Sequence, residues 1–160
     1  MGVYFDYFRA ADDDAARETR TVAGGPLHAP PGGELLFHGV ATKAVFPDPH
    51  LPQLVALARG VPYEPEPETA VGLWPPPSTP PPVDENSLWV TDPAVGRLAT
   101  WLRDGLADIW PQRARELGPA WAPMLDDRCP VEVAVNVALD LGGLARRAQK
   151  ADQALYYYSD

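Results

Sequence analysis

At 160 residues, 46% of them apolar, the chain suits one domain with a sizeable core. Its formal charge of −9, from 13 basic and 22 acidic residues, argues against nucleic acid as a partner, because phosphate backbones call for clustered cations. One cysteine excludes an internal disulfide and a multi-cysteine zinc site and fits a reducing cytoplasm; no apolar run approaches the ~18 residues of a membrane span, and Met1 to Phe8 lacks the basic start of a secretory leader.

Val3 to Phe8 is aromatic and reads as a strand, with Tyr4 and Phe8 on the face opposite Phe5 and Tyr7. Asp12, Asp13 and Asp14 then complement the dipole of a short helix over about 12–20. They do not form a calcium loop, since Arg17 stands where an EF-hand needs glycine. A glycine- and proline-rich loop follows, and residues 34–40 read as a short strand or the end of that loop. Asp48-Pro49 predicts an N-cap and first turn for a helix over 49–59, closed by Gly60.

Residues 61–92 form an acidic, proline-rich excursion. No Lys or Arg lies between Arg59 and Arg97, so Glu64, Glu66, Glu68, Asp84, Glu85 and Asp92 supply −6 of the −9 charge. Pro75 to Pro82 must be extended. A PxxP ligand normally carries a flanking base, which is missing here, so a surface loop is the simpler reading. Val71 to Trp74 and Leu88 to Val90 flank the loop and read as two pairing strands.

Asp92-Pro93 repeats the earlier helix opening. Val95, Leu98, Ala99, Leu102, Leu106 and Ile109 follow with helical spacing, which predicts a helix over 93–109. A second helical segment over 112–117 ends at Gly118-Pro119. Trp101, Trp110 and Trp121 read first as core, with a ligand pocket as the alternative. From Pro130 the apolar pattern persists for about 18 residues, too long for a strand, and Arg146, Arg147 and Lys150 suit a helix C-terminus. Leu155-Tyr156-Tyr157-Tyr158 closes as a strand, Tyr156 and Tyr158 sharing a face.

Three features together carry a family resemblance. They are Met1-Gly2 running into an aromatic strand, Leu88-Trp89-Val90-Thr91 leading into Asp92-Pro93, and the ending from Leu139-Asp140-Leu141 through Arg146-Arg147-Ala148 to Ala154-Leu155. On these the chain resembles the YfbM-like family of uncharacterised bacterial proteins. The resemblance implies an α+β domain of about this size and no established activity.

The expected fold is one compact α+β domain over residues 1–160. It has a small mixed or antiparallel sheet, three to four helices and a long Pro-rich surface loop. No catalytic motif stands out, and the residues call for no metal and no cofactor. His28, His38 and His50 lack metal-ligand spacing, although His38, His50 and Asp48 could meet as an acid–base site. Cys129 reads first as a buried, inert thiol; a reactive one is the alternative, because it precedes a helix start, which lowers a thiol pKa. Two functions remain. One is a binding or regulatory module for a basic protein partner, toxin neutralisation being one form, or for self-association, with Trp74, Trp89, Glu64, Glu66 and Glu68 as the surface. The other is a small-molecule enzyme or ligand binder with a Trp/Tyr-lined pocket using histidine and carboxylate.

Overall fold

The computed structural model describes residues 3–65, 68–77 and 92–160. Among the described residues five strands form one sheet: β1 (Tyr4–Ala10), β2 (Gly39–Lys43), β3 (Ala70–Trp74), β4 (Ala94–Leu98) and β5 (Ala154–Ser159). Their order is β2-β1-β5-β4-β3, and every neighbouring pair is antiparallel. The fold is therefore α+β, and of the two sheet types expected it has the antiparallel one. Among the described residues there are five α-helices rather than three or four: α1 (Asp13–Glu18), α2 (His50–Arg59), α3 (Thr100–Ala107), α4 (Pro111–Leu125) and α5 (Val131–Lys150).

The period of two in β1 sets the layers. Phe5 and Tyr7 face α2 to α5, where they join Leu54, Leu106, Trp121 and Leu141 in the main core. Phe8 and Ala10 face the other way, against Ala16 of α1 and the loop residues Leu27 and Phe37. β5 splits as its alternation predicts: Leu155 and Tyr157 point to the helices, Tyr156 and Tyr158 to α1. Both faces of the sheet are thus covered, which is why its two central strands, β1 and β5, are rich in apolar and aromatic residues on both sides.

Local chemistry accounts for the ends of α1 and α2. The Asp12 side chain caps α1 by accepting the Ala15 N–H at 2.8 Å. Gly60 ends α2 at φ 67°, a conformation glycine adopts without Cβ strain. Asp48 does not cap α2: Pro49 holds the N-cap position with no side-chain hydrogen bond, behind a cis Asp48–Pro49 peptide.

The largest departure from expectation is at 93–109. Residues 94–98 are strand β4, and only from Thr100 does the chain become helical. Val95 and Leu98 fit a helical spacing, but Val95 and Arg97 face α1 while Gly96 and Leu98 face the main core. Gly96 weakens a helix by about 1 kcal/mol relative to alanine, and in the sheet it has a use. The Tyr157 ring lies across it, and a Cβ at Gly96 would stand 2.3 Å from that ring. β4 also supplies a partner for β3, whose residues 70–74 pair with 95–98. Leu88 to Val90 lie outside the described residues, as do Met1, Gly2 and the end of the proline block from Ser78.

α4 does not stop at Gly118-Pro119 but continues to Leu125 through Pro119 and Pro123. The two prolines are four residues apart and both exposed, so the hydrogen bonds they omit lie on the solvent side. Of the three neighbouring tryptophans only Trp121 is core, fully buried and donating from Nε1 to the His50 carbonyl at 3.1 Å. Trp110 is exposed beneath the Arg146 guanidinium at 4.2 Å, and Trp101 is half-buried. α5 is the helix its sequence predicts, burying Ala134, Ala138, Leu141, Leu144, Ala145 and Ala148.

Candidate functional site

Glu64 and Glu68 are both exposed on the chain between α2 and β3. Trp101, near the start of α3, donates from Nε1 to the Glu68 carbonyl at 3.3 Å, and the Arg59 guanidinium stands 5.9 Å from its ring. A recess of about 270 Å³ opens between α2 and α3 here. Pro52, Val55, Val61, Tyr63 and Trp101 wall it, and Glu64 stands at its rim. Asp48 lies near enough to Tyr63 that its charge, after the larger effect of burial, raises the phenol pKa. Glu64 is thus the carboxylate that lines this aromatic-centred recess, together with the Arg59 guanidinium, while Glu68 meets Trp101 through its backbone carbonyl and Asp48 lies near Tyr63.

Trp74 does not join them. It ends β3 against the α1-side core, its ring under the Arg20 guanidinium at 4.0 Å and its Nε1 donating to Asp92 Oδ2 at 3.0 Å. The surface expected from Trp74, Glu64 and Glu68 therefore divides in two, with Trp101 as the aromatic that Glu64 and Glu68 share. Glu66 and Trp89 lie outside the described residues. Trp101 carried no distinguishing signal in sequence, being one of three tryptophans expected to be core.

His38 and His50 do not meet. His38 is exposed just before β2, its carbonyl accepting from the Arg9 N–H at 3.2 Å. His50 opens α2 beyond the far end of β2, and five strand residues put them on the order of 15 Å apart. His50 Nδ1 accepts the Phe46 backbone N–H at 3.0 Å, and its ring meets Phe46 edge-on at 5.4 Å. Burial lowers its pKa, opposed by a backbone hydrogen bond at Ala44. A neutral ring held this way fastens the chain after β2. Asp48 borders a different depression, with Phe5 and Tyr157.

One polar network was not legible in sequence. The Tyr156 hydroxyl donates to Asp13 Oδ1 at 3.0 Å, and Arg97 Nη1 donates to both Asp13 oxygens at 2.9 and 3.2 Å. The network borders a recess of about 590 Å³ that Arg17 and Arg103 also line. Each cation there is engaged: Arg17 with Asp14 at 2.6 Å, and Arg103 with Asp104 at 2.8 Å and with the Gln153 carbonyl at 3.0 Å. Burial, the hydrogen bond to Asp13 and its charge push the Tyr156 hydroxyl far above the ordinary phenol pKa, so it stays protonated and serves as a donor. The arrangement ties α1 to β4 and β5.

Cys129 is half-buried before α5, and burial, then the charge of Asp126, raises its pKa despite an opposing backbone hydrogen bond at Ala134. The helix start therefore does not make it a ready thiolate. Among the described residues no group of three His, Cys, Asp or Glu side chains is placed to hold a metal ion, and no helix is long and apolar enough to cross a membrane. Compared with protein-family models, with curated proteins and with solved structures, the chain finds no match.

Proposed function

We propose that the protein is a binding module whose acidic side receives a basic protein partner, and that neutralising a basic toxin is one form this takes. The observation that carries the reading is the Trp101–Tyr63 recess with Glu64 at its rim, Glu68 beside it and Asp48 near Tyr63. Its Val61, Pro62, Tyr63 and Glu64 begin a stretch without any Lys or Arg from residue 60 to residue 96. Aromatic anchors in a desolvated recess supply affinity, and the excess of carboxylates along the neighbouring chain supplies encounter rate and partner choice, with Arg59 as the one cation at the recess. The proposal extends to kinship with the YfbM-like family, for which the aromatic β1 and the α5–β5 ending are the supporting features.

The test is capture from lysate of the source cells on immobilised protein, with Trp101→Ala and a Glu64→Lys/Glu68→Lys pair as comparisons. One basic protein should be retained by the unsubstituted chain and lost from both variants, with retention falling as salt rises. A small metabolite that raises the melting temperature, with no protein retained, overturns the reading in favour of a small-molecule binder.

A further inference from the structure

β2 is a sheet edge with unusual openness. Among the described residues nothing pairs with its outer side. The bonds from Arg9 N–H to the His38 carbonyl and from Ala44 N–H to the Val3 carbonyl set the alternation along the β1–β2 ladder. By that alternation Gly39, Ala41 and Lys43 turn their N–H and C=O groups outward. Proteins protect such edges with proline, bulges or charge. β2 has neither proline nor bulge, and its one charge, Lys43, is its last residue. Leu35 and Leu36, just before it, are 51% and 64% exposed.

Beside this edge lies a recess of about 380 Å³ between β2 and α5. Val40, Leu139 and Gly143 line it, as do Asp140 and Arg147, which lie about one turn before and one turn after Gly143 along α5. Asp140 and Arg147 are exposed. Among the described residues neither makes an ion pair within the chain.

We propose that the protein forms a twofold dimer in which β2 pairs antiparallel with β2 of a second copy, centred on Val40. A twofold axis makes every contact reciprocal. Gly39 then meets the second copy's Ala41, and the outward groups of both strands find partners. The same axis passes near Gly143, so Asp140 of each copy faces Arg147 of the other, and two complementary pairs form at once. α5 packs under both β1 and β2. With β-strands about 4.8 Å apart, the two copies' helices run roughly 10–14 Å from axis to axis, a gap that Asp and Arg side chains span. Val40 and Leu139 of the second copy fill the recess, and Leu35 and Leu36 come to lie against its residues 44 and 45. The charge of −9 opposes self-association, but Glu68 and Asp92 flank β3 and β4 at the other end of the strand order, and Glu64 lies between α2 and β3. The seam itself carries Lys43, Arg147 and Asp140.

Sedimentation equilibrium of the full chain at micromolar concentrations tests this. The unsubstituted protein should sediment with twice the chain mass. D140R, an exposed change that sets Arg against Arg across both halves of the seam, should weaken the dimer about tenfold. D140R/R147D should restore it, which a merely structural role for either residue would not do. Ala41→Pro removes an N–H that β1 does not use and should give monomers. Circular dichroism identical to that of the unsubstituted chain shows that D140R has kept its fold. A monomeric mass for the unsubstituted chain, or a dimer indifferent to D140R, overturns the proposal.

Discussion

The two edges of the sheet are built differently. β3 carries a bulge between Gly72 and Trp74, runs into Pro75, Pro76 and Pro77, and has Glu68 just before it. Each of these discourages another strand from adding there. β2 is regular, short and backed by α5. The two proposed kinds of recognition differ in the same way. On the β3 side the proposed basic partner is met by side chains, Trp101 and Glu64 among them. On the β2 side, backbone pairing is available, and the only charges needed are the two that fix register.

That contrast can be broken experimentally, starting with the largest effect. Leu141 is fully buried in the helix that backs β2. Leu141→Ala should cost about 2–5 kcal/mol in urea denaturation. Hydrogen exchange should then show β2 opening before β3; equal loosening of both edges would mean α5 supports the sheet as a whole and not that side of it. Trp74→Phe comes next. It keeps an aromatic ring under Arg20 but loses the Nε1–H donated to Asp92, and should cost about 1–2 kcal/mol with the β2 edge unaffected.

The smallest effect is the dependence on His50. Its native pKa lies below the ordinary value of 6.5, so the unfolded chain binds the proton more readily. Its contribution is complete above that ordinary value and is lost as pH falls through the native one. Protonating Nδ1 also removes the acceptor of the Phe46 N–H. The urea midpoint should drop as pH falls below that ordinary value, and His50→Asn should flatten the drop. An unchanged slope in the variant would assign the acid sensitivity to other groups.

The legible parts of the fold were those whose period persists. β1 is aromatic and bounded by polar residues, and α5 keeps an apolar stripe from Ala134 to Ala148. β4 was misread because five residues hold too little period to choose between helix and strand. Its identity comes from β5, more than fifty residues later. Pro119 looked like a terminator because sequence does not reveal that its missing hydrogen bond falls on the solvent side. The candidate sites were less legible still. Asp13, Arg97 and Tyr156 are brought together only by the sheet, and Trp101 differs from Trp121 only in which side of the core its helix presents it to. His38, His50 and Asp48 have compatible chemistry, but β2 holds the two histidines apart.

The place of β5 at the centre of the sheet bears on how the molecule comes to exist. β1 and β2 can meet early, and β3 and β4 can meet early, but among the described strands only Ala154–Ser159 joins the two pairs. Phe5 must wait for Ser159 before its ladder is complete. An isolated strand pair is marginal in water, so during synthesis the first half of the sheet has no stable resting state of its own. Closing so distant a pairing is slow, on the order of milliseconds to seconds. The aromatic faces of β1 stay open for that interval, and the newborn chain depends on the speed of its last strand, or on a chaperone, to keep them from finding another molecule first.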